Sequence, residues 1–173
     1  FHAGHAAIHR HHQLCPGGDL PYGGLVQAVA LVVAAGQIDE YIRTLGLKPF
    51  LELGFMPEKM ASGTQTIFYW KGNTTPPADH QKWADMIKAT LRHLADRYGE
   101  EEVSTWPCEV WNEPNLPGFW EHADEAKYHE LYAVSARAVK EALPKMRVGG
   151  PAVCGGSTTP DWIRNFLTFC RDN

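Results

Sequence analysis

The sequence predicts an α/β fold built around a parallel sheet. Segments with helical spacing of apolar residues alternate with short apolar runs, and a helix between successive strands implies right-handed crossovers. Hydrophobic residues make up 44% and charged residues 21% of the 173 residues, which is enough apolar material for a core. The predicted connections after strands are longer than those after helices. In parallel α/β folds the functional residues usually lie on the loops that follow the strands, so these long loops are the candidate site.

The first predicted strand leads into the longest of these loops. Residues 25–45 favour a helix that Gly46 ends, and residues 48–55 (KPFLELGF) favour a short apolar strand. Residues 56–78 have no helical period, and a connection of this length usually serves as a lid or a binding loop. This loop carries Phe68, Tyr69 and Trp70 in a row. We expect these aromatic side chains to form an exposed binding surface, with burial inside the loop as the alternative.

The rest of the chain repeats the alternation. Residues 79–98 predict an amphipathic helix, with Asp79 as its N-cap and Gly99 just after its end. Two further strands and two further helices are predicted, over residues 106–112, 124–143, 147–153 and 161–171. Apolar side chains at steps of three or four residues mark the buried faces of the 79–98 helix and of the last helix: Trp83, Ile87, Leu91, Leu94, Tyr98, Trp162, Phe166 and Phe169.

The charge pattern argues against two classes of partner. The formal net charge is −4, from 16 Lys and Arg against 20 Asp and Glu, and no long basic run interrupts this mild acidity. We therefore expect no nucleic-acid and no membrane partner. The longest apolar run, residues 25–35, is too short to span a bilayer. No signal peptide is visible, which favours the cytoplasm, while the oligomeric state stays open.

The first 36 residues differ in composition from the remainder. They contain five of the nine histidines but only two charged residues, so the chain divides into an atypical segment, 1–36, and a folded domain, 37–173. His5 and His9 have helical spacing, yet no acidic ligand lies nearby, and we expect no metal site. The four cysteines, at positions 15, 108, 154 and 170, are far apart in the sequence. We expect them to be free thiols.

The strongest chemical signal lies at the end of the second predicted strand. Asn112 and Glu113 stand there before Pro114, which cannot continue a ladder and is expected to hold Glu113 extended. The aromatic residues around this position, among them Trp111, would partly desolvate Glu113, which suits a carboxyl group for proton donation. Asn112 offers both a donor and an acceptor to a ligand hydroxyl. This pattern favours a catalytic site, with an ordinary turn as the alternative.

Three sequence blocks closely resemble glycoside hydrolase family 39, in its bacterial β-xylosidase branch. They are KPFLELGFMPEKMASGTQTIFYWKGNTTPP, CEVWNEPNLPGFWEHAD and RVGGPAVCGGS. The resemblance implies a (β/α)₈ TIM barrel, of which the predicted strands would be strands three to five with their helices. It also implies that Glu113 is the general acid/base and that Asn112 binds the hydroxyl beside the anomeric carbon. Phe68, Phe119 and Trp120 are the expected aromatic wall of the substrate site.

The family resemblance further implies retaining, double-displacement hydrolysis without any cofactor. The expected substrates are xylo-oligosaccharides or aryl xylosides, with α-L-iduronides as the nearest rival class. The family's nucleophile is a Glu at the end of strand seven, so we expect it to lie beyond these 173 residues and the chain alone to be inactive. Glu52 sits in the middle of a predicted strand, where a buried structural role is expected instead. A sugar-binding protein without catalysis and a defective barrel product are the alternatives.

Overall fold

The protein is described by a computed structural model that covers Ile38, Asp39, Ile42 and residues 44–173. In chain order the elements are β1 (Leu51–Leu53), β2 (Thr66–Ile67), β3 (Gly72–Asn73), α1 (His80–Tyr98), α2 (Glu100–Val103), β4 (Cys108–Val110), α3 (Glu125–Ala142), β5 (Val148–Gly149) and α4 (Thr159–Asp172). Two short 3₁₀ segments lie at Glu58–Met60 and Glu121–Ala123.

The predicted parallel sheet is confirmed. Its strands lie in the order β1-β4-β5, both neighbouring pairs are parallel, and β4 is central. Glu52 is in register with Glu109, and Glu109 is in register with Gly149. The expectation that Glu52 is a buried structural carboxylate is wrong, because Glu52 is exposed. The strands are shorter than predicted. β5 ends at Gly149 because Pro151, two residues later, has no N–H to donate to a ladder.

Helices α1 and α3 cover the sheet and form the core with it. The predicted stripe of α1 is confirmed at Trp83, Ile87, Leu91 and Leu94, which are all buried. Its fifth member, Tyr98, is half-buried. The Trp83 indole N–H donates to the Ser135 hydroxyl of α3 at 2.8 Å, which satisfies two polar groups between the buried helix faces. Apolar burial therefore fixes how α1 lies against α3, and one polar pair fixes their register.

Some connections contain more structure than the sequence predicts. The loop 56–78 contains an antiparallel hairpin of β2 and β3, and the link 99–105 contains the short helix α2. The first residues of α2 are three glutamates, which the positive N-terminal end of a helix stabilises. Neither element has an apolar period long enough to be visible in the sequence.

Several predictions fall wholly or partly on residues that the structure does not describe. The boundary at residue 36, the His5–His9 spacing and Cys15 lie outside the described residues. Of the predicted 25–45 helix, the structure describes five residues, and all five are helical: Ile38, Asp39, Ile42, Thr44 and Leu45. Gly46 follows with a φ of +64°, and residues 25–37, 40, 41 and 43 are outside the description. Among the described residues, no helix combines the length and the hydropathy that crossing a membrane requires.

The N-cap of α1 provides a test of the helix boundary. The Asp79 carboxylate accepts from the backbone N–H groups of Gln81 and Lys82 at 2.9 and 3.2 Å. Asp79→Ala leaves both donors without this partner, and we expect it to lower the free energy of unfolding by about 1 kcal/mol. Urea denaturation measures the change. Asp96→Ala, at an exposed position of the same helix, is the matched control, and an equal loss in both variants would contradict the capping role.

Candidate active site

The long loop after β1 is held in place by a buried polar network. The Asn73 side-chain carbonyl accepts from both the backbone N–H and the hydroxyl of Thr75, each at 2.8 Å. Its amide donates to the Gly63 carbonyl at 2.9 Å, and the Gly63 N–H donates to the Thr75 hydroxyl at 3.1 Å. Since Asn73 and Thr75 are buried and paired, the loop has a fixed shape despite having little regular structure.

This loop is also tied to the loop that follows β4. The Gln65 side-chain amide donates to the Pro117 carbonyl at 2.7 Å, and the Glu121 N–H donates to the Thr74 carbonyl at 2.9 Å. The two loops therefore lie at the same end of the sheet. The prediction that the post-strand loops form one face is confirmed for this pair.

An aromatic cluster joins the two loops. We use this name for Phe55, Phe68, Trp70, Trp111 and Phe119. Phe55 is its centre, with ring centroids 5.4 to 6.4 Å from the other four. Phe68 stacks on Trp70 at 5.2 Å and meets Phe119 edge-on at 5.6 Å. Phe68 and Trp70 are each about half exposed, so the cluster presents an aromatic surface to solvent at this end of the sheet.

The expectation that Trp120 belongs to an accessible aromatic wall is wrong. Trp120 is fully buried, and its indole N–H donates to the Asp124 carbonyl at 2.8 Å. Its ring packs edge-on against Trp111, with centroids 4.9 Å apart. The chain turns inward after Phe119 and places Trp120 in the core, where it packs against the buried side of the aromatic cluster at Trp111.

Asn112 and Glu113 directly follow the central strand β4. Asn112 forms an isolated parallel bridge with Ala152, and the Glu113 N–H donates to the Ala152 carbonyl at 2.8 Å. The predicted extended conformation of Glu113 is wrong, because its φ is +50°, in the left-handed region. The chain turns here, since Pro114 has no N–H to continue the ladder and the Leu116 N–H closes on the Glu113 carbonyl at 3.0 Å. Glu113 is half-buried at the carboxyl end of the sheet.

Cys154, which the sequence predicts only to be a free thiol, lies beside the Glu113 carboxylate. Partial burial, the negative charge of Glu113 and a hydrogen bond to Glu113 together raise the pKa of the Cys154 thiol. Cys154 belongs to the loop after β5, so the loops after β4 and β5 meet at Glu113. Cys108 differs: it is buried within β4, and burial is the main cause that raises its pKa to about 12. Cys108, Cys154 and Cys170 are free thiols, as predicted.

A pair of carboxylates lies within the sheet, on the neighbouring strands β1 and β4. Glu52 and Glu109 are in register; Glu52 is exposed and Glu109 is half-buried. Partial burial, followed by the negative charge of Glu109, raises the pKa of Glu52, and burial also raises the pKa of Glu109. Ionisation of either carboxyl group therefore lowers the stability of the folded protein.

This pair predicts a pH-dependent gain in stability. A raised pKa in the folded state means that stability is full below the ordinary carboxyl pKa and falls as the pH rises through the raised value. Glu52→Gln should therefore increase the free energy of unfolding at pH 7 and have little effect near pH 4. Urea midpoints across this range measure the difference. Glu130→Gln, on the exposed surface of α3, is the control, and a gain at pH 4 equal to that at pH 7 would contradict the assignment.

The structure thus brings most of the predicted site residues to one end of the sheet. Asn112 and Glu113 follow β4, and Phe68 and Phe119 touch each other in the adjoining loops. Sequence reasoning missed Phe55 as the centre of the aromatic cluster and Asn115 as a link to the loop after β5. The Gly-Asn-Thr-Thr run at residues 72–75 was the available signal for the polar network, because small polar residues before two prolines favour side-chain-to-backbone hydrogen bonds.

Comparisons with known proteins bear on the family and the fold of this chain. The family model of glycosyl hydrolases family 39 matches residues 29–173. A β-xylosidase from Geobacillus stearothermophilus is 56% identical over 135 residues, which is 78% of this chain and 26% of that protein. A β-xylosidase from Caldicellulosiruptor saccharolyticus is 44% identical over 136 residues, covering 79% of this chain and 27% of that protein.

A solved structure extends the likeness to the fold. The crystal structure of a monomeric β-xylosidase from Caulobacter crescentus CB15 matches with a TM-score of 0.69 and 51% identity, over 79% of this chain and 27% of that one. The chain spans about a quarter of the length of the curated relatives it matches. Its parallel sheet and helices are part of a (β/α)₈ TIM barrel. The chain belongs to glycosyl hydrolases family 39.

Proposed function

We propose that Glu113 is the general acid/base of a retaining glycoside hydrolase that acts on β-xylosides. The observation that carries this proposal is the position of Glu113. It follows the central parallel strand, beside Asn112 and on the face where the loops after β1, β4 and β5 are tied together. Barrel enzymes place their catalytic groups at this end of the strands.

In the proposed mechanism Glu113 acts twice. First it donates a proton to the departing glycosidic oxygen while a second carboxylate attacks the anomeric carbon and forms a glycosyl-enzyme. Then it accepts a proton from the water that releases the sugar and restores the second carboxylate. Retention needs the two carboxyl groups roughly 5 to 5.5 Å apart. We propose that the second carboxylate lies on strand seven of the barrel, as the family resemblance implies.

The proposed substrates are xylo-oligosaccharides or aryl xylosides. Asn112 is placed to bind the hydroxyl beside the anomeric carbon, because its side chain carries both a donor and an acceptor. The half-exposed rings of Phe68 and Trp70 suit the apolar faces of a sugar or the aryl group of an aglycone. The identity with two β-xylosidases favours xylosides over α-L-iduronides.

A chimeric barrel tests this function. Residues 48–173 replace the aligned segment of the Geobacillus stearothermophilus β-xylosidase, and circular dichroism checks that the chimera is folded. We expect it to hydrolyse an aryl β-xyloside and to leave an aryl α-L-iduronide intact. A folded chimera without xylosidase turnover would overturn the proposal, and turnover of the iduronide alone would overturn the substrate assignment.

A further inference from the structure

Asn115 links the loop after β4 to the loop after β5 by two hydrogen bonds to one residue. Its side-chain oxygen accepts from the Cys154 N–H at 2.9 Å, and its side-chain NH₂ donates to the Cys154 carbonyl at 3.0 Å. An amide that pairs with a backbone residue in both directions fixes orientation as well as distance. Asn115 is only 8% exposed, so water competes little for these bonds.

The same two loops are joined a second time at Glu113. The Glu113 N–H donates to the Ala152 carbonyl at 2.8 Å, two residues before Cys154. Pro114 thus lies between two anchors, the backbone of Glu113 and the side chain of Asn115. The Cys154 thiol lies close enough to the Glu113 carboxylate for that negative charge to disfavour the thiolate.

This double attachment matters because the backbone at Glu113 is unfavourable by itself. A φ of +50° is unfavourable for a residue other than glycine and persists only where its surroundings determine it. The Glu113–Ala152 bond fixes one side of the turn, and the Asn115 amide fixes the other. Among the described contacts, the Asn115 amide is the side chain that attaches the part of the turn after Pro114 to the loop after β5.

We propose that Asn115 is a positioning residue, which clamps the Glu113 turn to Cys154 and so fixes the direction of the Glu113 carboxylate. Its contribution to catalysis rests on the proposed function of Glu113. The geometric part, in which the clamp holds Glu113 at the Cys154 thiol, does not depend on that function. The two can therefore fail separately.

The Cys154 thiol provides a readout that needs no turnover. The rate of alkylation by iodoacetamide is followed against pH in the 173-residue chain, and peptide mass spectrometry resolves each cysteine. Because Glu113 disfavours the thiolate, Glu113→Gln should lower the apparent pKa of Cys154 and raise its alkylation rate at pH 7.5 on the order of two- to threefold. Asn115→Leu should give the same shift, and the double variant should give no more than either single variant.

Two controls separate positioning from general loosening. Thr159→Val removes the other side-chain donor to the Cys154 carbonyl, at 2.7 Å, without touching the Glu113 turn, and should leave the apparent pKa of Cys154 unchanged. Cys170 is remote in the sequence and serves as an internal reference that no variant should move. Asn115→Ser, which is polar but too short to make both bonds, replaces Asn115→Leu if the leucine variant does not fold.

An unchanged apparent pKa of Cys154 in a folded Asn115 variant would overturn the positioning role. The positioning role would also be overturned if the Asn115 substitution caused a further full shift in the pKa of Cys154 in a Glu113→Gln background, because that shift could not arise from a displaced Glu113. Amide hydrogen exchange of wild-type Cys154 adds a test without any substitution, since absence of protection would contradict the clamp. An inactive chimeric barrel with an intact thiol response would refute only the function proposed for Glu113.

Discussion

Glu113→Gln, made in the chimeric barrel, is expected to reduce kcat for xylo-oligosaccharides by about 10²- to 10⁴-fold. Glutamine keeps the shape of the side chain but cannot deliver a proton to the leaving oxygen. Substrates with activated aryl leaving groups need little protonation in the first step, so their first step should be affected much less. Rates for a series of aryl xylosides with leaving groups of increasing basicity measure this difference.

The second step provides an independent sign of the same role. Without Glu113 no general base activates water, and the glycosyl-enzyme should accumulate with activated substrates. Azide attacks this intermediate without a general base and should restore part of the rate. Glu58→Gln, an exposed carboxylate in the loop after β1, is the control and should change neither step. Equal losses on all leaving groups, with no response to azide, would mean that Glu113 has a structural role.

Much of the fold could be predicted from the sequence because its causes are local. The stripe from Trp83 to Leu94 gives α1 its buried face, and Asp79 caps the helix by accepting from residues two and three positions ahead. The alternation of such helices with short apolar strands leaves few topologies other than a parallel sheet. The position of Glu113 at the end of a strand follows from the same alternation.

The details that shape the site depend on contacts between distant residues. Asn115 and Cys154 are 39 positions apart, and Gln65 reaches Pro117 across 52 positions. The left-handed backbone of Glu113 results from bonds on both sides of Pro114 and contradicts the extended conformation that the proline alone predicts. The sequence alone predicts that Trp120 is another exposed aromatic residue, whereas the turn after Phe119 places it in the core. The spacing of apolar residues along the chain does not predict any of these contacts or conformations.

Gly150→Ala is expected to cause a large loss of stability. A Cβ at Gly150 would clash with the Tyr128 hydroxyl and would lie 3.3 Å from the Val110 carbonyl. Tyr128 cannot move aside easily, because it is fully buried and its hydroxyl donates to that same carbonyl at 3.0 Å. Overpacking of this kind costs roughly 1 to 3 kcal/mol, and displacement of the hydroxyl adds about 1 kcal/mol.

Thermal unfolding of three variants tests this close approach. For a chain of this size, a loss of about 3 kcal/mol corresponds to a fall in Tm of roughly 6 to 12 °C for Gly150→Ala. Gly149→Ala is the matched control, since a Cβ there meets no atom within 4 Å and should leave Tm nearly unchanged. Tyr128→Phe removes the atom that the new Cβ would strike, so adding it to Gly150→Ala should recover part of the loss, although by itself it destabilises the protein. Equal falls for the two alanine variants, or strictly additive losses in the double variant, would show that the contact between Gly150 and Tyr128 does not limit this position.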